Sequence, residues 1–121
     1  MTEEQFDKWF KDLKETWETR NPKKASDLCA EKLFWYETPF DKPLKNRREI
    51  VREWQGVLNQ EDISVSYDII SVKNDIGIAH WTASFTRLPS KIKAKLDGIF
   101  EVRLNQKGEC IEFHQWYNSK E

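Results

Sequence analysis

The stretch Ile92–Leu104, which reads IKAKLDGIFEVRL, decides the fold class. Its apolar and small residues occupy every second position: Ile92, Ala94, Leu96, Gly98, Phe100, Val102 and Leu104. The residues between them are mostly charged, so the period of two predicts a strand with one buried and one solvated face. A strand of thirteen residues is long, and we therefore expect a bend or bulge at Asp97–Gly98.

The neighbouring segments show the same alternation. Upstream, residues 62–69 and 78–85 alternate on either side of a turn at Asn74–Asp75. Downstream, Asn105–Gly108 predicts a hairpin turn before the last strand. That strand places Ile111, Phe113, Gln115 and Tyr117 on one face and Cys110, Glu112, His114 and Trp116 on the other. Four long strands joined by short connections predict an antiparallel sheet.

The first half of the chain has a helical period instead. Apolar residues at helical spacing from Phe6 to Trp17 predict a first helix, which Thr2 and Gln5 cap. Asn21-Pro22 predicts the start of a short second helix, with Cys29 on its inner face, and a third begins near Asn46. The aromatic run 33–37 between the last two predicts a short strand. This order predicts an α+β fold, with three N-terminal helices packed on the sheet.

The bulk properties exclude several classes of protein. The chain has 121 residues, which predicts one domain over residues 1–121, and its net charge of −1 gives no general attraction for nucleic acid. No apolar run approaches the roughly 20 residues that span a membrane. The two cysteines follow no zinc or CxxC spacing, so we expect free buried thiols and a cytoplasmic protein.

Several segments together resemble the NTF2-like superfamily and, within it, the SnoaL-like branch. They are the aromatic first helix, the helix with Trp54, and the stretches 79–83, 97–100 and 108–116. The resemblance covers nearly the whole chain and implies a cone-shaped fold with a curved, mostly antiparallel sheet. It also implies a pocket between helices and sheet, and a homodimer formed through the sheet. One departure is the last strand, which reads His114-Gln115-Trp116 where related sequences often have Arg-Glu-Trp.

A ligand-binding face is predicted from the alternation of the strands. Tyr67, Trp81 and Gln115 share the apolar parity, and the amide of Gln115 needs a hydrogen-bond partner there. That partner is either a ligand or a group of the protein, such as a helix end or a tyrosine hydroxyl. Tyr36 and Trp54 are further candidates for an aromatic pocket, although Trp and Tyr also fill protein cores.

Catalytic candidates are fewer and weaker. Histidine is a common acid–base residue in catalysis, but the parity of His80 places it opposite Trp81. Asp97 is a candidate acid if a bulge turns it inward, as pocket carboxylates work in ketosteroid-isomerase-like relatives, and Glu37 has a similar claim. Cys110, Glu112 and His114 share one face but lack a fourth metal ligand, so we predict no metal and no cofactor.

Three functions remain open from the sequence. The first is binding of a small apolar or aromatic molecule in the pocket, through Tyr36, Trp54, Tyr67, Trp81 and Gln115. The second is a SnoaL-like isomerase, cyclase or dehydratase that uses Asp97 or His80. The third is a dimeric interaction domain without catalysis, in which the outer sheet face meets a partner.

Overall fold

The computed structural model describes residues 2–121. Its helices are α1 (Glu3–Glu18), α2 (Pro22–Asp27), α3 (Arg47–Glu53) and a 3₁₀-helix (Trp54–Asn59). Its strands are β1 (Cys29–Tyr36), β2 (Leu44–Asn46), β3 (Gln60–Lys73), β4 (Ile76–Arg87), β5 (Lys93–Leu104) and β6 (Cys110–Lys120). None of the helices in residues 2–121 has the length and apolarity that crossing a membrane would need.

The six strands form one sheet in the order β2-β1-β6-β5-β4-β3. Within residues 2–121, β1 and β6 pair in parallel, and the other neighbouring strands pair antiparallel. The α+β class and the mostly antiparallel sheet are therefore confirmed. The short strand β2 was not predicted from the sequence, because its three residues carry no alternation that could be recognised.

The observed starts of the helices agree with the prediction better than the observed ends do. Thr2 and Gln5 form the predicted capping box of α1, and the Asn21 side chain caps α2. The third helix starts after Asn46 as expected but ends at Glu53 and continues as the 3₁₀-helix. The third helix also follows β1 and β2 in the chain. The prediction of three N-terminal helices is therefore only partly right. Cys29 starts β1 and does not belong to the second helix.

The core lies between α1 and one face of the sheet. Trp35 of β1 stacks on Phe113 of β6, with ring centroids 3.7 Å apart, and Trp81 of β4 stacks on Phe100 of β5 at 4.7 Å. Phe10 of α1 stacks on Phe100 from the helix side. Large stacked rings fill this layer, so the strands that carry them are held in fixed register.

The predicted bulge at Asp97–Gly98 is wrong. The β4–β5 register continues without a shift through Thr82↔Asp97 and Trp81↔Gly98. Gly98 is needed for another reason: a Cβ there would lie 2.7 Å from the Tyr117 Cβ and would also meet the Trp116 carbonyl oxygen. The absence of a side chain therefore lets β5 and β6 approach closely.

A bulge does occur at the other end of the same pair. Arg103 pairs with Glu112 and Leu104 with Cys110, so Ile111 is the extra residue on β6. The bulge turns Cys110 into the core, where it is fully buried, and this corrects its predicted outward parity. Cys29 is its partner across β1 and β6, and both thiols are free and buried as expected.

Candidate functional site

A cavity of about 270 Å³ lies between the sheet and the helices. Its inner wall is apolar and consists of the buried side chains of Leu13, Trp35, Trp81, Phe85, Phe100 and Phe113. Nearer the solvent it is lined by Glu53, Gly56, Val57, Arg87, Tyr117 and Ser119. The apolar wall comes from α1 and four strands, so the packing of the core itself shapes the cavity.

Glu37 is the acidic residue next to the aromatic part of the wall, directly after the end of β1, whereas Glu53 lies nearer the solvent. Its Oε1 accepts a hydrogen bond from Trp35 Nε1 at 2.8 Å, and its Oε2 accepts one from Gln115 Nε2 at 2.8 Å. Gln115 Nε2 also donates to the Glu37 carbonyl oxygen at 2.9 Å. These bonds join the end of β1 to β6 and hold the carboxyl group in one orientation at the cavity.

The pKa of Glu37 is raised from 4.5 to about 7, and burial is the main cause. The Trp35 and Gln115 hydrogen bonds favour the ionised form and lower the pKa, whereas the nearby charges of Glu53 and Asp41 raise it further. Desolvation thus exceeds the stabilisation that two neutral donors supply. Near neutral pH, Glu37 is present in both protonation states, and it can donate or accept a proton.

Gln115 lies at the cavity as the strand alternation predicted. Its partner within the protein is the Glu37 carboxyl and carbonyl group, not a helix end or a tyrosine hydroxyl. Contact between Gln115 and a ligand stays a prediction. The amide has a second role that the sequence did not reveal, which is to orient Glu37.

Trp54 and Trp81 also lie in the cavity wall, as predicted. Trp81 is 1% exposed, and its Nε1 has no hydrogen-bond partner in residues 2–121. Trp17 and Trp35 join them at the cavity, and Trp17 Nε1 donates to Gln60 Oε1 at 2.8 Å. Four tryptophans therefore line the cavity, and two of them were predicted from the sequence.

Tyr36 and Tyr67 do not line the cavity, and their predicted place there is corrected. Tyr36 stacks on His114 at 4.5 Å, on the sheet face opposite Trp35. Tyr67 has the inward parity but lies beneath α1, where its hydroxyl donates to Asp7 Oδ1 at 2.7 Å. The predicted strand over residues 33–37 gave too few residues to fix the parity of Tyr36. For Tyr67, parity alone does not show how far along a strand the cavity extends.

His80 and Asp97 lie together on the outer face of the sheet, away from the cavity. His80 Nε2 and Asp97 Oδ1 are 2.8 Å apart, and the two side chains are 43% and 68% exposed. Because β5 has no bulge at Asp97, nothing turns this carboxylate inward. Of the three acid–base candidates from the sequence, Glu37 therefore lies at the cavity, and His80 and Asp97 do not. Residues 2–121 also contain no cluster suited to a metal ion.

A helical layer on one face of a six-stranded sheet, with a cavity between them, is the architecture of an NTF2-like protein, and solved structures match it over almost the whole chain. SalBIII, an epoxide hydrolase/cyclase-like enzyme with a role in pyran ring formation in the polyether salinomycin, is 10% identical, with a TM-score of 0.83 over 98% of this chain and 95% of that chain. Rv0760c from Mycobacterium tuberculosis is 11% identical, with a TM-score of 0.83 over 99% and 98%. A computationally designed 17-OHP binder is 13% identical, with a TM-score of 0.79 over 93% and 92%. At these identities the likeness shows the fold alone.

Sequence comparison identifies the family. Residues 10–113 match the SnoaL-like domain, and the chain belongs to this family. The resemblance that the strand and helix segments suggested is thereby confirmed. No curated protein matches the sequence.

Proposed function

We propose that the protein binds a small, largely apolar molecule in the cavity that Glu37 and Gln115 line. The observation that carries the proposal is an aromatic cavity with one oriented carboxyl group in its wall. Its volume of about 270 Å³ lies just below the roughly 300–1,000 Å³ of drug-sized ligand sites. The ligand is therefore small, about one or two rings. That the 17-OHP binder was designed on this fold supports the proposal.

A variant that fills the mouth of the cavity tests this proposal. Gly56 lines the cavity, and a Cβ at this position would meet no atom within 4 Å, so Gly56→Phe adds a ring without a backbone clash. Gln55→Phe is the matched control, because Gln55 is exposed on the same 3₁₀-helix and does not line the cavity. Native mass spectrometry of protein purified from its own host should show a bound small molecule in the wild type and in Gln55→Phe. Equal occupancy in Gly56→Phe would place the ligand elsewhere.

Acid–base catalysis at Glu37 is a second candidate function. A pKa of about 7 suits a group that transfers protons at neutral pH, and the carboxyl group lines the cavity. The likeness to SalBIII, a cyclase-like enzyme, supports this candidate. Under it, Glu37→Gln removes turnover of the bound molecule while Asp97→Asn does not. Turnover that survives in Glu37→Gln would exclude the role.

A homodimer through the outer sheet face completes the proposal. Trp116 is 43% exposed on that face, and its ring continues the stack of Tyr36 and His114, with Trp116 and His114 5.7 Å apart. A large exposed aromatic residue is typical of an interface centre. Trp116→Ala should give monomers in sedimentation velocity experiments, and an unchanged dimer would contradict this role.

A further inference from the structure

The Glu37 carboxylate has no cationic partner within the protein. In residues 2–121, no lysine, arginine or histidine nitrogen lies within ion-pair distance of its oxygens. Its two partners, Trp35 and Gln115, are neutral donors. An ionised carboxylate accepts about four hydrogen bonds, so each oxygen keeps a free acceptor position. A carboxylate in an apolar setting is normally neutralised by a proton, a metal ion or a cation.

The other charged groups at the cavity favour a cation. Glu53 from α3 also lines the cavity, and its charge acts on Glu37. Arg87 is the positive group in the wall, but its Nε already donates to Glu121. With Glu37 ionised, the cavity therefore carries two carboxylates against one arginine that is paired elsewhere. A negative ligand would meet net repulsion, and a positive ligand would meet net attraction.

The aromatic wall suits the same kind of ligand. Trp17, Trp35, Trp54 and Trp81 all line the cavity. The face of a tryptophan ring attracts ammonium groups more strongly than those of tyrosine and phenylalanine do, and the effect grows when water is excluded. The wall therefore offers apolar contact area for a ring of the ligand. Its tryptophan rings and the Glu37 carboxylate also stabilise a positive charge.

We propose that the ligand is a small aromatic or aliphatic amine, bound as its ammonium ion, with the nitrogen donating to the free positions of Glu37. The proposal rests on ligand binding in the cavity and specifies the chemistry of that ligand. An ammonium group has three donors, which is enough for both carboxylate oxygens and one further acceptor. The ring of the ligand lies against the tryptophan wall, and Glu53 contributes long-range attraction from the mouth of the cavity.

Three probes of similar size and different charge test the proposal. They are 2-phenylethylamine, 2-phenylethanol and phenylacetate, titrated into ¹⁵N-labelled protein and followed by chemical-shift changes. The amine should bind the wild type at least about tenfold more tightly than the alcohol, and phenylacetate should bind most weakly. Glu37→Gln should remove most of the preference for the amine while changing the affinity for the alcohol by less than about twofold. Asp97→Asn, which removes an exposed carboxylate on the opposite face, should leave the preference intact.

Proton release gives an independent readout. Titratable or charged groups that act on Glu37 or share its cavity are Asp41, Glu53, Arg87 and Tyr117. Because the pKa of Glu37 is about 7, binding of an ammonium ion near pH 6 should expel about one proton from Glu37. Calorimetry in two buffers with different ionisation heats measures this number, and Glu37→Gln should release none.

The outcomes separate this inference from the proposed function. Binding of the alcohol or of phenylacetate as tightly as the amine overturns the amine proposal and leaves ligand binding standing. A preference for the amine that persists in Glu37→Gln also overturns it. If none of the three probes binds, the amine proposal fails, and the comparison of wild type with Gly56→Phe decides separately whether the cavity holds a ligand.

Discussion

Replacing Glu37 with glutamine should make the protein more stable at alkaline pH. The pKa of Glu37 is about 7 in the folded protein against 4.5 for an unperturbed group, so the folded state binds its proton more tightly than the unfolded state. The stabilisation from that proton is complete below pH 4.5 and is lost as the pH rises through 7. With about 1.36 kcal/mol for each pH unit, wild-type protein loses about 2 kcal/mol between pH 5.5 and pH 8 through this group. Glutamine has no such proton to lose.

Urea denaturation of both proteins near pH 5.5 and near pH 8 measures this effect. The difference in unfolding free energy between Glu37→Gln and wild type should shift by about 2 kcal/mol in favour of the variant at the higher pH. Taking the difference between the two proteins removes the contribution of every group that titrates equally in both. Glu31→Gln, an exposed carboxylate on the same strand, serves as the control and should show no such shift. A difference that is independent of pH, or that favours wild type at pH 8, would refute a Glu37 raised by burial.

Three further predictions concern the sheet and the site. Gly98→Ala should lower the unfolding free energy by about 1–3 kcal/mol in urea denaturation, because the new Cβ would meet β6; an unaffected protein would show that β6 can move away. Gln115→Leu should raise the pKa of Glu37 above about 7 in a ¹³C NMR titration, because it removes a donor to the ionised form, and an unchanged pKa would contradict that contribution. His80→Ala should leave ligand affinity unchanged in the titrations above, since His80 lies on the opposite sheet face, and a large loss would return it to the site.

The parts of the fold that could be predicted are those with a long, regular period. Residues 92–104 have seven apolar or small residues at every second position, and the strand β5 includes all of them except Ile92. The short strand β2 and the change to a 3₁₀-helix at Trp54 have no such signal, because both depend on contacts made after the chain has folded. The bulge at Ile111 also has no signal in the sequence. It shifts the parity of Cys110, and only the pairing with β5 reveals it.

The site was predicted in part, and the errors at Tyr67 and Glu37 have physical causes. Parity shows which face a side chain lies on, and for Trp81 and Gln115 it was correct. It does not show which side chains enclose a space, so Tyr67 was assigned to the cavity although it lies under α1. Glu37 received little weight because it is one acid after a short aromatic strand. Its importance comes from burial and from two donors, one of which is 78 positions away in the sequence.

The same carboxylate that opposes folding at neutral pH is the group best placed to bind a ligand. Trp35 and Gln115 stabilise the ionised form, yet desolvation still raises the pKa to about 7, so the protein leaves part of the charge uncompensated. A sequence selected for stability alone would carry glutamine at this position, which keeps an acceptor for one of the two donors without the burial cost. Retaining an unpaired acid in an aromatic wall makes sense if an outside group supplies the missing partner. Near pH 8, Glu37→Gln should therefore gain stability and lose affinity for the amine together, and a variant that gains the stability without losing the affinity would separate the two roles.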